Sequence, residues 1–478
     1  MNADTIVAIA TAPGAAGVGV VRISGPAAVA VVSPLFKAFD GRALQDQPPR
    51  FLAFGKLHRA GGALLDEVMV VRFAAPHSFT GEDVVEVQAH GGAFHLREVQ
   101  AALLESSRNF ERPPRLARPG EFTQRAFLNG KIDLTRAEAV ADLIQSGSEL
   151  ARAAAAQQLG GGLQRAIESL RAETLGLLAE CEAACDFPEE HEQLPDAGAE
   201  FQARLGALTL RLDALLDTAQ AGRMLTQGVR VALAGAPNAG KSSLFNALCD
   251  ENRAIVSEEP GTTRDWLEVR VSSQGLTLVL YDTAGLREGA SAVEAEGVRR
   301  TQELARGADV LLMVLDLSAP LDLRALDVMR DAGGAIELAL NKSDLQAAWG
   351  KEELERALAA QGRAPRDSAA LAARAQRVSA RTREGLEGLL ERVVDSALRG
   401  RGTQRLEAVA LTQARHERAA RDARASLERV RLGHRSGAGV ELLSVDLRAA
   451  LDALGEIIGA TPRAQVLEEI FRRFCIGK

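Results

Sequence analysis

Lysine is scarce in this 478-residue chain. Of 57 basic residues only seven are lysine (Lys37, Lys56, Lys131, Lys241, Lys342, Lys351 and Lys478), and the rest are arginine. Those seven positions are candidates for places where a compact ammonium is needed instead of a planar fork. Aromatic residues make up 4%, with a single tyrosine, which argues against a chain built of base-stacking platforms. Four cysteines (Cys181, Cys185, Cys249, Cys475) are too few for a disulfide framework, and no pair has zinc-knuckle spacing, so a reducing cytosol fits best. No apolar run approaches the ~20 residues that span a bilayer, and Met1 to Ala12 carries Asp4 in place of a basic leader. Neither an export signal nor a membrane span is expected. A net charge of −7 argues against a protein that coats nucleic acid electrostatically and leaves room for a local RNA contact.

What is present is a succession of textures. Up to about residue 118 the chain has short β-type runs: Thr5 to Ala10 and Val18 to Ile23 flank a Pro13-Gly14 turn, and Glu67 to Phe73 and Asp83 to Gln88 partly alternate. Thr135 to Asp186 lacks proline and places Leu163, Ile167, Leu170, Leu177, Cys181 and Cys185 at helical intervals, predicting long amphipathic helices broken near Gly160 to Gly162. From Val229 to about Leu398, strand, glycine-rich loop and helix repeat, as in a parallel α/β sheet. The tail from Gly402 returns to helix, with Leu447, Leu451, Leu454 and Ile458 on one face and a last segment from Ala464 to Phe474. Two helical blocks that bracket an α/β unit each carry an apolar stripe that must be covered. Packing them on each other makes the α/β unit an insertion in one helical domain; two separate helical domains are the alternative.

The strand Val229 to Ala234 runs into Gly235-Ala-Pro-Asn-Ala-Gly240-Lys241-Ser242, a GxxxxGK[ST] loop in its strand-to-helix setting. The backbone N–H groups of such a loop, Asn238, Ala239 and Gly240 through Ser243, face phosphates; Lys241 bridges the β and γ phosphates and the Ser242 hydroxyl ligates Mg²⁺. Gly261-Thr-Thr-Arg-Asp265, Asp282-Thr-Ala-Gly285, Asn341-Lys-Ser-Asp344 and Ser379-Ala380 follow in order. Thr263 is placed to close the Mg²⁺ shell, Asp282 to hold the metal through water, and Thr283, Ala284 and Gly285 to approach the γ phosphate. Asn341, Lys342 and Asp344, with Ser379 and Ala380, address a base edge. A carboxylate accepting from guanine N1–H and its amine rejects adenine, so the expected nucleotide is GTP. Leu286 stands where Ras-type GTPases carry a water-orienting glutamine. Glu288, Glu294 and Glu296 are acidic substitutes that spacing does not separate from solvated loop charges.

These motifs, with Gly17-Val-Gly-Val-Val-Arg22-Ile-Ser-Gly25, the run Arg118-Pro-Gly-Glu-Phe-Thr-Gln-Arg-Ala-Phe-Leu-Asn-Gly-Lys131 and the ending Phe474-Cys-Ile-Gly-Lys478, resemble the MnmE (TrmE) family of tRNA modification GTPases over essentially the whole chain. The resemblance implies a fold combining α/β, α+β and all-α parts. These would be an N-terminal folate-binding and dimerisation domain (1–118), a helical domain in two pieces (119–225 and 401–478), and a Ras-like P-loop G domain inserted between them (226–400). It also implies a homodimer that, with the flavoprotein MnmG carrying FAD, adds an aminomethyl or carboxymethylaminomethyl group to carbon 5 of the tRNA wobble uridine, using a tetrahydrofolate such as 5-formyltetrahydrofolate.

By the same resemblance, Asn238 and the backbone oxygens of Ser257, Glu259 and Thr262 would hold an activating K⁺, and the water-orienting acid falls on Glu294. Pro260 departs from the family's usual small residue in that loop; it removes an N–H and keeps the carbonyls, so K⁺ dependence is expected to persist. Arg22, Glu86, Lys131 and Lys478 match folate-site positions, a set of cations and one carboxylate that suits a folate's carboxylates and pterin. From the residues alone, Arg22 and Glu86 also fit ordinary strand-surface charges. Cys475 would be a catalytic thiol of the modification step, or else a small buried hydrophobe.

Two other functions fit the central motifs. One is an RNA-binding GTPase switch for ribosome assembly, which has no use for the N-terminal domain and Cys475. The other is a signalling switch, against which Leu286 and the K⁺-type loop weigh. The Arg-rich stretch Arg405 to Arg435 is expected to be a helix face of paired or solvated charges, a tRNA contact being the alternative.

Overall fold

The computed structural model describes residues 4–186, 197–251, 267–282, 292–398, 410–460, 464–472 and 474–478. The chain forms two compact units, Met1–Ala141 with Leu454–Lys478, and Asp142–Ala453.

The first unit is built on a seven-stranded sheet. Its strands are β1 (Ile6–Ile9), β2 (Ala16–Ser24), β3 (Phe36–Ala38), β4 (Leu52–His58), β5 (Leu64–Phe73), β6 (Val84–Gly91) and β7 (Arg115–Leu116), in the order β3-β4-β5-β6-β2-β1-β7. All neighbours are antiparallel except β1 and β7. The two-residue period sends Val21, Ile23, Val68, Val70, Val85 and Val87 to one face, where they bury against the helices Ala28–Val32 and Ala93–Ser106. On the other face Ile6 and Ala8 meet Phe122 of the helix Glu121–Leu128. A further cluster joins Leu134 and Ala137 to Leu467, Ile470, Phe471 and Phe474, so residues far apart in sequence close this unit together.

The second unit holds a Ras-like P-loop G domain inserted in a helical domain. Its sheet comprises β8 (Val229–Ala234), β9 (Leu267–Ser273), β10 (Leu276–Asp282), β11 (Val310–Asp316), β12 (Ala335–Asn341) and β13 (Gln376–Arg377), in the order β13-β12-β11-β8-β10-β9. Only β9 is antiparallel to its neighbour. β8 and β11 are near-continuous apolar runs because both faces are covered, one by the cluster around Leu233, Phe245, Leu280 and Val393, the other by that around Met313, Leu338 and Leu358.

Helices from before and after the insertion pack on each other within the second unit, while 119–141 and 454–478 belong to the first, so the helix Val440–Ile458 runs from one unit into the other. The apolar stripe Leu163, Ile167, Leu170, Leu177 and Cys181 of the helix Gly162–Asp186 is buried, with Cys185 partly so. The helix Ala197–Leu216 lies along Ala414–Arg435, where Arg424 pairs with Asp213 at 2.9 Å and the His434 ring stacks on Phe201. Leu447, Leu454 and Ile458 of Val440–Ile458 are buried and Leu451 partly so. The break near Gly160 is present, and a second one falls at residues 146–148, where the Ser148 hydroxyl accepts from the Ala151 N–H at 3.2 Å and starts the helix Glu149–Leu159. Among the described residues no helix is long and apolar enough to cross a membrane.

Candidate functional site

The loop after β8 lies at the carboxyl ends of the parallel strands, between β8 and its neighbours β10 and β11, where an open α/β sheet binds ligands. Gly235 has φ +150, Asn238 +63 and Gly240 +89, positive values of the kind found where a turn gathers backbone N–H groups into an anion-binding concavity. Lys241 donates from Nζ to the carbonyls of Gly235 (2.9 Å) and Ala236 (2.8 Å), so its ammonium sits over the loop. Ser242 and Ser243 are exposed at the start of the helix Lys241–Glu251, and Ala239 is buried beneath. Asp282 ends β10 and is buried.

The base-edge motif is tied directly to this loop. Asn341 closes β12, is 1% exposed, and donates from Nδ2 to the Ala239 carbonyl at 2.9 Å while its Oδ1 accepts from the Ala380 N–H at 3.2 Å. The Ser379 hydroxyl donates to Asp344 at 2.7 Å, fixing one carboxylate oxygen, and Arg381 lies 3.6 Å from the other. Lys342, at φ +63, donates from Nζ to Asp316 at 2.6 Å. Burial raises the Asp316 carboxyl, but hydrogen bonds from Lys342 and Ser318 outweigh it and hold the group below the usual carboxylate range. The Trp349 indole N–H donates to the Asp316 carbonyl at 3.0 Å. Asp316 belongs to none of the sequence signatures, yet it ends an apolar strand directly opposite Asn341 and holds the lysine of the guanine motif.

Ser257, Glu259, Pro260, Thr262, Thr263, Thr283, Ala284, Gly285, Leu286 and Glu288 lie outside the described residues, as do the side chains of Glu294 and Glu296.

In the first unit, Arg22 on β2 and Glu86 on β6 are directly opposed, and Arg22 Nε donates to Glu86 at 2.8 Å. Arg22 Nη1 also donates to the Gly477 carbonyl at 3.4 Å, and its guanidinium lies over the Phe122 ring at 5.6 Å from the centroid. The tail is thus brought to this pair: Gly120 N–H donates to the Cys475 carbonyl (3.4 Å) and Phe122 N–H to that of Lys478 (3.2 Å). Cys475 is exposed. Lys131 reaches elsewhere, donating from Nζ to the Pro76 carbonyl at 2.9 Å. The Arg-rich helix is a face of paired charges: Arg421 pairs with Glu417, Arg424 with Asp213, Arg429 with Asp446 and Arg431 with Glu428.

Two family models match, the TrmE N-terminus over residues 5–131 and the MnmE helical domain over residues 134–475. Curated relatives called tRNA modification GTPase MnmE align end to end. The protein of Syntrophotalea carbinolica is 43% identical, with all of both chains covered, and that of Moorella thermoacetica 40%, with 99% of each. The solved G domain of the T. maritima FeoB iron transporter is 31% identical over 35% of this chain and 98% of its own, with a TM-score of 0.27. A chain matched by both models and aligned over its full length with such relatives belongs to the MnmE family of tRNA modification GTPases, and is a GTP hydrolase.

Proposed function

We propose that this protein is a K⁺-activated GTPase that works in the cytoplasm as a homodimer with a flavoprotein partner, MnmG, to modify carbon 5 of the tRNA wobble uridine with a tetrahydrofolate one-carbon unit. The observation that carries the modification half is the meeting of Arg22, Glu86 and the tail Cys475–Lys478 in one place. A ribosome-assembly switch has no reason to bring a thiol-bearing tail to an arginine–carboxylate pair.

For the GTPase half, the loop N–H groups and Lys241 bind the phosphates, Ser242 and Thr263 ligate Mg²⁺, and Asn341 and Asp344 select guanine. Asn238, with backbone oxygens of Ser257, Glu259 and Thr262, supplies an all-oxygen set suited to K⁺, and a monovalent charge there offsets charge developing on the β–γ bridge. Glu294 orients the attacking water in place of the absent glutamine. At the tail, Arg22 and Glu86 offer a cation and an acceptor to a folate's carboxylate and pterin edges, with Lys478 as a second cation, and Cys475 presents an exposed thiol. Lys131 joins that set after releasing the Pro76 carbonyl.

Nucleoside analysis of tRNA from cells lacking the protein tests this. Loss of the carbon-5 modification is expected. Full modification with a ribosome-assembly defect would favour the switch.

A further inference from the structure

The helix Glu121–Leu128 begins with a carboxylate that is fully buried. Glu121 accepts from Arg115 Nη1 (2.8 Å) and Nη2 (2.5 Å), from the Arg118 N–H (2.8 Å) and from Arg125 Nη2 (3.1 Å). Arg125 is itself 1% exposed and also donates to the carbonyl and carboxylate of Asp4 and to Glu82. A buried charge is tolerated only with such a full set of partners, and the set fixes the backbone around it. That backbone is the part that grips the tail. The residues on either side of Glu121, Gly120 and Phe122, donate their N–H groups to the Cys475 and Lys478 carbonyls, one at each end of the tail. Between them Gly477, at φ +98, rests on β1 so closely that an added Cβ would lie 2.3 Å from the Ile9 carbonyl oxygen.

We infer that Glu121 is a positioning residue for the tail Cys475–Lys478, holding the two N–H donors that set where the Cys475 thiol stands. The arginines clamp the carboxylate, the carboxylate clamps the turn before the helix, and the turn clamps the tail. The inference rests on the proposed role of the tail in modification. All of these partners lie within one compact unit.

The test uses the full-length protein with Glu121→Gln, which keeps size and removes charge. Amide hydrogen exchange of the peptides carrying residues 119–123 and 474–478 is expected to quicken by about tenfold or more. In a reconstituted modification assay with MnmG, kcat is expected to fall about tenfold or more with KM for tRNA within about twofold, while GTP turnover stays near wild type. Gly477→Ala, which lifts the tail without touching Glu121, is expected to reproduce both effects. If Glu121→Gln does not fold, Arg115→Gln strips two of the donors and carries the same expectation. Wild-type exchange in both peptides overturns the inference, as does quickened exchange with unchanged modification kcat where Cys475→Ser is inactive. Normal modification by Cys475→Ser overturns instead the role of the tail, and leaves the exchange result standing.

Discussion

Lys342 and Asp316 form an ion pair of 2.6 Å between the ends of two neighbouring strands, β12 and β11, whose last residues are direct partners. The lysine of the guanine motif is therefore held by a strand carboxylate. Asp316→Ala frees the ammonium and removes a charge-assisted hydrogen bond, worth roughly 1.5–3 kcal/mol when protected and less at this half-open site. GDP and GTP affinity should fall by about fivefold to tenfold in calorimetric titration. Because the Asp316 carboxyl is held below its ordinary value, the pair is intact above that value and is lost only as pH falls through the lowered one. The difference between wild type and variant should therefore stay constant from pH 5 to 8. An equal affinity in both proteins would remove Asp316 from the guanine site.

Gly235 permits a single residue. At φ +150, with an added Cβ only 2.2 Å from the Val314 carbonyl oxygen on β11, even alanine forces the loop off the neighbouring strand. Gly235→Ala should weaken GDP binding by about a hundredfold or more, since each displaced N–H is a lost phosphate donor. Titration of a fluorescent GDP analogue would detect this, and near-normal binding would mean that the loop relaxes without loss.

The sheets were legible wherever periodicity was clean. The alternation of Glu67 to Phe73 and Asp83 to Gln88 became the inner pair β5 and β6, and the apolar run Val229 to Ala234 became a doubly covered parallel strand. The break at residues 146–148 was missed because the apolar spacing carries on across it; Ser148 followed by Glu149 was the capping signal. Of the scarce lysines, Lys241 donates within its own phosphate-type loop, Lys342 to Asp316, and Lys131 to the Pro76 carbonyl. The Arg115–Glu121–Arg125 cluster was half legible, as an i,i+4 pair between Glu121 and Arg125. Its burial comes from the tail and from Asp4, more than a hundred residues distant in sequence, and no local pattern announces that.

Acid should act on the first unit through Glu121. Burial pushes its carboxyl up, but the Arg115 hydrogen bonds, the Arg118 N–H and Arg125 prevail and bring it from 4.5 to about 2. A lowered folded value means that the stabilisation is complete above the unfolded value and drains away as pH falls from about 4.5 towards 2. With Arg115 more than a third exposed, screening leaves roughly 2 kcal/mol at stake. Urea unfolding followed by hydrogen exchange of residues 119–123 should show that loss in wild type between pH 5 and 3. Glu121→Gln should start lower and change less over the same interval, and parallel curves would dissociate Glu121 from acid sensitivity.

The K⁺ assignment makes the sharpest demand on turnover. If Asn238, on the exposed rim of the loop, and the oxygens of Ser257, Glu259 and Thr262 hold a monovalent ion, exchange of Na⁺ for K⁺ should raise GTP hydrolysis about tenfold or more, because the ion adds positive charge where the leaving group becomes negative. Asn238→Ala should raise the K⁺ concentration needed for half activation, having removed a side-chain oxygen. Glu294→Ala should abolish most of the K⁺-dependent rise while leaving GTP affinity nearly intact, since a water-orienting acid acts in the transition state and contributes little to ground-state binding. Steady-state phosphate release in matched K⁺ and Na⁺ series, with nucleotide affinity measured separately, decides both points. Equal rates in the two salts would sink the K⁺ assignment, and a full K⁺ response in Glu294→Ala would pass the water-orienting role to Glu288 or Glu296.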